Sequence, residues 1–468
     1  MRTTTRTRLG VGAFLATVAL LGLLAEPAWA HGIGGRTDLP LPAWQMTWAA
    51  GFAVASSFVA LGAFWSRPLL HDAAKGRELP GWLQPTAWIF WVTKTIGVAM
   101  FGLLLYAAWF GNENSAVNIS GDAVFIVFWV GLQILSAVIG DIWSAFNPFI
   151  TIADTAAWLK GRLVGHRSAG AETLETPETA KSIWPAVVAI ASFSWMELAY
   201  HSAASPRSLA LYLSLYTVAV LGGAAYRGKD WARRADGFGQ LMTIISSASP
   251  LFRSEGKLRV RPPLSGVSRL DVHPGMVAFI LVVLGTTTFD GFTRSSTWAR
   301  VAGNSTGWSL TFINTFGLAV VIALVALVFF VAIKSMSTVT GDSEYELGDL
   351  FGPTLVTIMV AYTVAHYFSL LVLDGQRFII QISDPFGRGW DLFGTKDYAI
   401  NWALISTGAI AWVQTAAIAV GHVLAVAAAH DLSIRRYERS VALRSQYSML
   451  AVMISYTVVG LIILLGAF

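Results

Sequence analysis

Residues 309–334 read SLTFINTFGLAVVIALVALVFFVAIK, and their one charge is the terminal Lys334. A bilayer's hydrocarbon core takes about 20 predominantly apolar helical residues to cross. This run exceeds that length, and nothing in it suits a water-facing surface. Similar runs occupy 44–65, 86–110, 122–140, 183–201, 206–226, 273–290, 352–373, 401–429 and 447–467. The pattern predicts an all-α membrane protein with about ten transmembrane helices, in a single domain over 31–468.

Composition agrees. Of 468 residues, 55% are hydrophobic and 13% charged, about half the roughly 25% charge of a soluble domain. There is no cysteine, which excludes disulfides, thiolate metal sites and a thiol nucleophile. The net charge of +5 is no nucleic-acid signal, because the basic residues sit in connections between apolar runs. With the first mature residues outside, the connections assigned to the cytoplasm hold about three times as many Lys and Arg as the others. This is the asymmetry that membrane orientation produces. It predicts both termini outside and a multi-pass protein of the cytoplasmic membrane, with the lipid bilayer as its immediate partner. Protein partners are not readable from the chain.

Residues 1–30 read as a signal peptide. Arg2, Arg6 and Arg8 precede an apolar centre, and Ala28-Trp29-Ala30 supplies an A-x-A cleavage site. Retained, the segment would serve as a signal-anchor helix; cleaved, it leaves His31 as the first residue. Residues 228–250 place Trp231, Ala235, Phe238, Met242 and Ile245 on one stripe, the pattern of an amphipathic helix on the cytoplasmic surface. The polar stretch 164–182 reads as a cytoplasmic loop. No internal repeat or Gly-rich phosphate loop is present.

Function should lie where ionisable groups enter the apolar runs, since each costs a few kcal/mol there. In FSWMELAYH, 193–201, Glu197 and His201 stand four apart, which on a continuous helix is one face. Asp290 and His366 fall at similar depth, and Asp374 lies at the membrane edge. Two imidazoles with carboxylates from separate helices make a mixed nitrogen–oxygen set suited to a divalent metal such as Zn, Mn, Fe or Cu. His201 and His366 are candidate ligands, and Glu197 and Asp290 candidate ligands or bases. His31, with its own amino group, is a further metal candidate. A simpler reading has Glu197 and His201 satisfying only each other's polarity. Towards the inner face, Lys94 and Asp141 are a candidate ion pair and His422 a hydrogen-bonded packing residue. Between the last outward run and the next, the extracytoplasmic loop 374–400 offers Asp374, Asp384, Arg388 and Trp390 for substrate contacts, as a lid or an interfacial aromatic cap.

Several stretches resemble one family. They are HGIGGRTDLPLP at 31–42, RPPLSG at 261–266, TTTFDGF at 286–292, SDPFGRGWDLFGT at 383–395 and GHVLAVAAAHDLSIRRY at 421–437. They are similar to the polytopic actinobacterial membrane proteins known as fenitrothion hydrolases, and the likeness runs from His31 almost to the C-terminus. The resemblance implies hydrolysis of an organophosphorus triester, a small apolar substrate, with release of a nitrophenol. A metal-bound water could attack phosphorus while the nitrophenolate leaves unprotonated. A transporter or channel, and a non-catalytic metal-handling or assembly factor, are the competing expectations. The lack of a repeated half counts against transport.

Overall fold

The computed structural model describes residues 39–164 and 182–466. The signal segment, His31 and nearly all of 164–182 lie outside the described residues. Ten apolar helices organise the rest: α1 Ala43–Phe64, α2 Gly81–Phe110, α3 Ile119–Ile139, α4 Trp184–Leu198, α5 Pro206–Arg227, α6 Met276–Thr293, α7 Gly307–Thr340, α8 Glu344–Gln381, α9 Thr407–Arg436 and α10 Arg439–Leu465. Among the described residues nine are long and apolar enough to cross a membrane, and α4, at 15 residues, is the shorter exception. Side chains such as Phe52, Trp91, Phe312 and Phe316 stand exposed on the outside of the bundle. Apolar surface on that scale suits contact with lipid. The chain is a multi-pass helical membrane protein.

Local signals set the helix ends. Ser205, Ser343 and Ser406 each accept the backbone N–H three residues on, from Ser208, Glu346 and Ala409. These caps satisfy donors that the first helical turn leaves orphaned. Pro206 adds the favoured first-turn proline after Ser205. α4 stops at Leu198, and Ala199 and Tyr200 both donate to the Trp195 carbonyl as the chain turns towards that cap.

Outside the helices lies one small antiparallel sheet: β1 Arg77–Glu78, β2 Leu251–Ser254 and β3 Lys257–Val260, in the order β1-β3-β2. Leu251 and Arg77 both register with Val260. Glu255 and Gly256, at φ 52° and 78°, form the tight turn whose twist matches a hairpin. The sheet marks one end of the bundle, here the sheet end; residues 382–406 mark the other, the loop end.

Residues 228–250 form two helices where one surface helix is expected, Lys229–Ala235 and Gly237–Ser246. The break is Asp236, fully buried, which accepts from Trp143 Nε1, Asn147 Nδ2 and the Tyr216 hydroxyl. A carboxylate so deep holds only with several donors, so the second helix packs inward through Phe238, Leu241 and Ile245. The loop expected over 374–400 is likewise partly helical, because α8 continues to Gln381. α9 packs against α8 and α1 at the centre of the bundle. Gly421 permits the α8 contact: a Cβ there would lie 2.1 Å from that of Ala361. Small residues at crossings let membrane helices approach this closely.

Candidate acid–base site at the loop end

α6 and α8 bring together Asp290 and His366, 76 positions apart in sequence. The His366 Nε2 lies 2.7 Å from Asp290 Oδ2, and the Tyr367 hydroxyl donates to the same oxygen at 2.9 Å. All three are buried. A carboxylate can only accept, so Nε2 donates, and in the neutral ring Nδ1 keeps the lone pair. Beside that nitrogen stands Gly291, where a Cβ would come within 4.0 Å of Nδ1. Glu197 at the end of α4 is half-buried and within electrostatic reach of both Asp290 and Tyr367. Arg294, 58% exposed, places Nη2 3.8 Å from Asp290 Oδ1 and links the cluster to the surface.

Two π-helical stretches flank the cluster. One is Ala123–Gly131 within α3; the other, Leu370–Asp374, follows Tyr367 directly in α8. Such widened turns are frequent at functional sites. Arg377, one turn past the second, clamps Asp122 through two bonds of 2.6 and 2.7 Å, tying α8 to the start of α3.

His201 does not join this cluster. Four-residue spacing means a shared face only while the helix continues, and α4 has ended at Leu198. His201 is exposed instead, its Nδ1 2.9 Å from Thr311 Oγ1 on α7, with its ring against Tyr200 and Trp308. Glu197 and His201 therefore face different neighbours. Among the described residues no three His, Asp or Glu side chains converge to hold a metal ion.

The remaining candidates scatter. Asp374 sits 3.8 Å from Arg377 Nη1. Asp384 accepts from the backbone N–H groups of Arg388 and Gly389, which folds its own loop. Arg388 lies over the rings of Tyr106, Phe386 and Trp390, an aromatic and cationic patch of the kind that seats at a membrane interface. Lys94 and Asp141 do not pair. Lys94 lies near the Trp91 ring, and Asp141 accepts from Thr243 and from the Ser144 N–H.

Other buried polar groups escape a reading of the sequence, among them Tyr367, His430 and Asp431. Tyr367 adjoins a flagged histidine but carries no charge. Asp431 accepts from Trp65 Nε1 and the Leu69 and Leu70 N–H groups, and His430 precedes it. Part of the signal was available: His430 stands eight residues after His422 on one apolar run, a spacing that keeps both within one broad helical stripe. The described fold and site stand without an outside reference, since comparison with family models, curated proteins and solved structures gives no match.

Proposed function

We propose that the Asp290–His366 pair is the general base of a membrane-embedded hydrolase acting on a small apolar organophosphorus triester. The observation that carries the reading is the 2.7 Å carboxylate–imidazole contact buried near the loop end. The sequence resemblance supplies the substrate class. His366 Nδ1 takes a proton from water as the water oxygen attacks phosphorus. The bond from phosphorus to the aryl oxygen breaks, and the nitrophenolate leaves with the electron pair. Asp290 stabilises the imidazolium that forms, and Tyr367 holds the carboxylate in place. A neutral triester partitions into lipid and so reaches a bundle interior from the bilayer side. Among the described residues Asp290, His366 and Glu197 do not converge into a set that could hold a metal ion, so the proposed base works through the pair itself.

Purified protein in lipid nanodiscs, given a nitrophenyl triester, should release nitrophenolate. A positioned general base contributes about 10²–10⁴-fold, so His366→Ala should lose turnover by at least about 10²-fold while accumulating normally in the membrane. Undiminished turnover in that variant ends the proposal.

A further inference from the structure

Deeper in the bundle than Asp290 lies a second polar group that triester chemistry does not use. His422 on α9 is fully buried, and its Nδ1 lies 2.8 Å from the Ile418 carbonyl oxygen. A carbonyl only accepts, so Nδ1 carries the proton, and Nε2, an acceptor in the neutral ring, meets no hydrogen-bond partner among the described residues. Tyr362 on α8 is 7% exposed, and its hydroxyl also meets no partner among the described residues. Tyr456 on α10 completes the group, its hydroxyl against Thr288 Oγ1 of α6. The three rings form a triangle with centroid separations of 6.4, 6.0 and 5.6 Å. Room is kept for the Tyr362 hydroxyl: a Cβ at Gly460 would lie 1.8 Å from its oxygen.

A buried polar group left unpaired costs stability, which Phe or Leu in the same place would not. Ionisable groups at membrane depth commonly mark ion pathways and proton relays. The group also has neighbours on both sides. Tyr362 stands one helical turn before His366, on the same face of α8. Towards the sheet end, His430 is 1% exposed, with Nε2 3.1 Å from the Trp65 carbonyl oxygen and Nδ1 3.4 Å from Gln446 Nε2. Eight residues along α9 separate it from His422, about 12 Å of helix.

We propose that this column, from His430 through His422 and Tyr362 to His366, conducts protons across the bundle. An imidazole accepts a proton at one nitrogen and releases one from the other. A phenol exchanges its hydroxyl proton in the same way. After one passage every group has recovered its starting proton count, so a transmembrane potential or pH difference is the only drive required. Conduction is separate from ester hydrolysis and is measured with no substrate present.

The test uses the full-length protein in liposomes enclosing a pH-sensitive dye. A potassium diffusion potential set with valinomycin drives protons inward. The wild type should acidify the lumen well above the rate of protein-free vesicles. Tyr362→Phe, which removes one oxygen atom, and His422→Phe should each cut that excess at least tenfold. Lys94→Gln, away from the column, should leave it unchanged. A wild type no faster than empty vesicles overturns the proposal, as does an excess that survives both column variants. Should either variant fail to elute as a single species, the wild-type comparison and the other variant still decide.

Discussion

Replacing the two members of the loop-end pair, singly and together, measures their contact directly. Asp290 and His366 have side chains 12% and 4% exposed and meet at 2.7 Å. A hydrogen bond involving a charged group contributes about 1.5–3 kcal/mol. Removing one partner of a buried pair costs more, about 3–5 kcal/mol, because the other is left uncompensated. Asp290→Asn keeps the shape and an acceptor for Tyr367, so it should cost about 2 kcal/mol. His366→Phe strands the carboxylate with Tyr367 and the largely exposed Arg294, and should cost about 3 kcal/mol. The double variant has no stranded charge. It should cost about 3 kcal/mol rather than 5, a coupling of about 2 kcal/mol. The 19 tryptophans provide a fluorescence signal for unfolding in mixed micelles titrated with SDS. Costs that add to within about 0.5 kcal/mol would refute the pair as an energetic unit, and with it the geometry on which the base assignment stands.

Two further outcomes test the packing and the sheet-end contacts. A Cβ at Gly97 would lie 1.8 Å from the Phe146 carbonyl oxygen, whereas one at Gly102 meets nothing within 4 Å. Gly97→Ala should therefore destabilise by about 1–3 kcal/mol and Gly102→Ala stay within about 1 kcal/mol of wild type, both read from the same SDS titration. The second outcome concerns Asp342, between α7 and α8. Hydrogen bonds from Arg436 and then Tyr437 hold its carboxyl below the ordinary value. A lowered folded-state value stabilises fully above the unfolded value near 4 and is lost as the pH falls through the folded value. Stability measured from pH 6 down to pH 3 should fall in wild type, and part of that fall should vanish in Asp342→Asn. An unchanged pH profile would show that the contact contributes nothing.

Much of the architecture was open to reading in one dimension. A membrane helix needs little more than length and the absence of charge, and both are local properties. α7 and α9 follow from composition alone, and Ser-Pro at 205–206 marks where α5 begins. That same signal could have corrected the reading of Glu197 and His201. A cap at Ser205 leaves α4 no room to carry His201 round its face. The dipeptide Asp236-Gly237 is likewise a turn signal, overridden in the sequence reading by the apolar stripe on either side of it.

The candidate site was readable only as an inventory. Asp290 and His366 were identified by depth, but depth gives height along the bundle and says nothing about direction around it. Their contact depends on how α6 and α8 are rotated and which ridges interlock. Those rotations are fixed by close approaches such as Gly421 against Ala361 and by many weak packing terms that no single residue announces. The orphaned Tyr362 and His422 belong to the same class, since an unmet hydrogen bond is a property of surroundings. Sequence by itself determined that this chain is a bundle of lipid-facing helices and which ionisable groups it carries inward, because hydrophobicity and spacing are local. Which of those groups touch was decided only by the tertiary structure, because helix rotation and neighbour choice are collective.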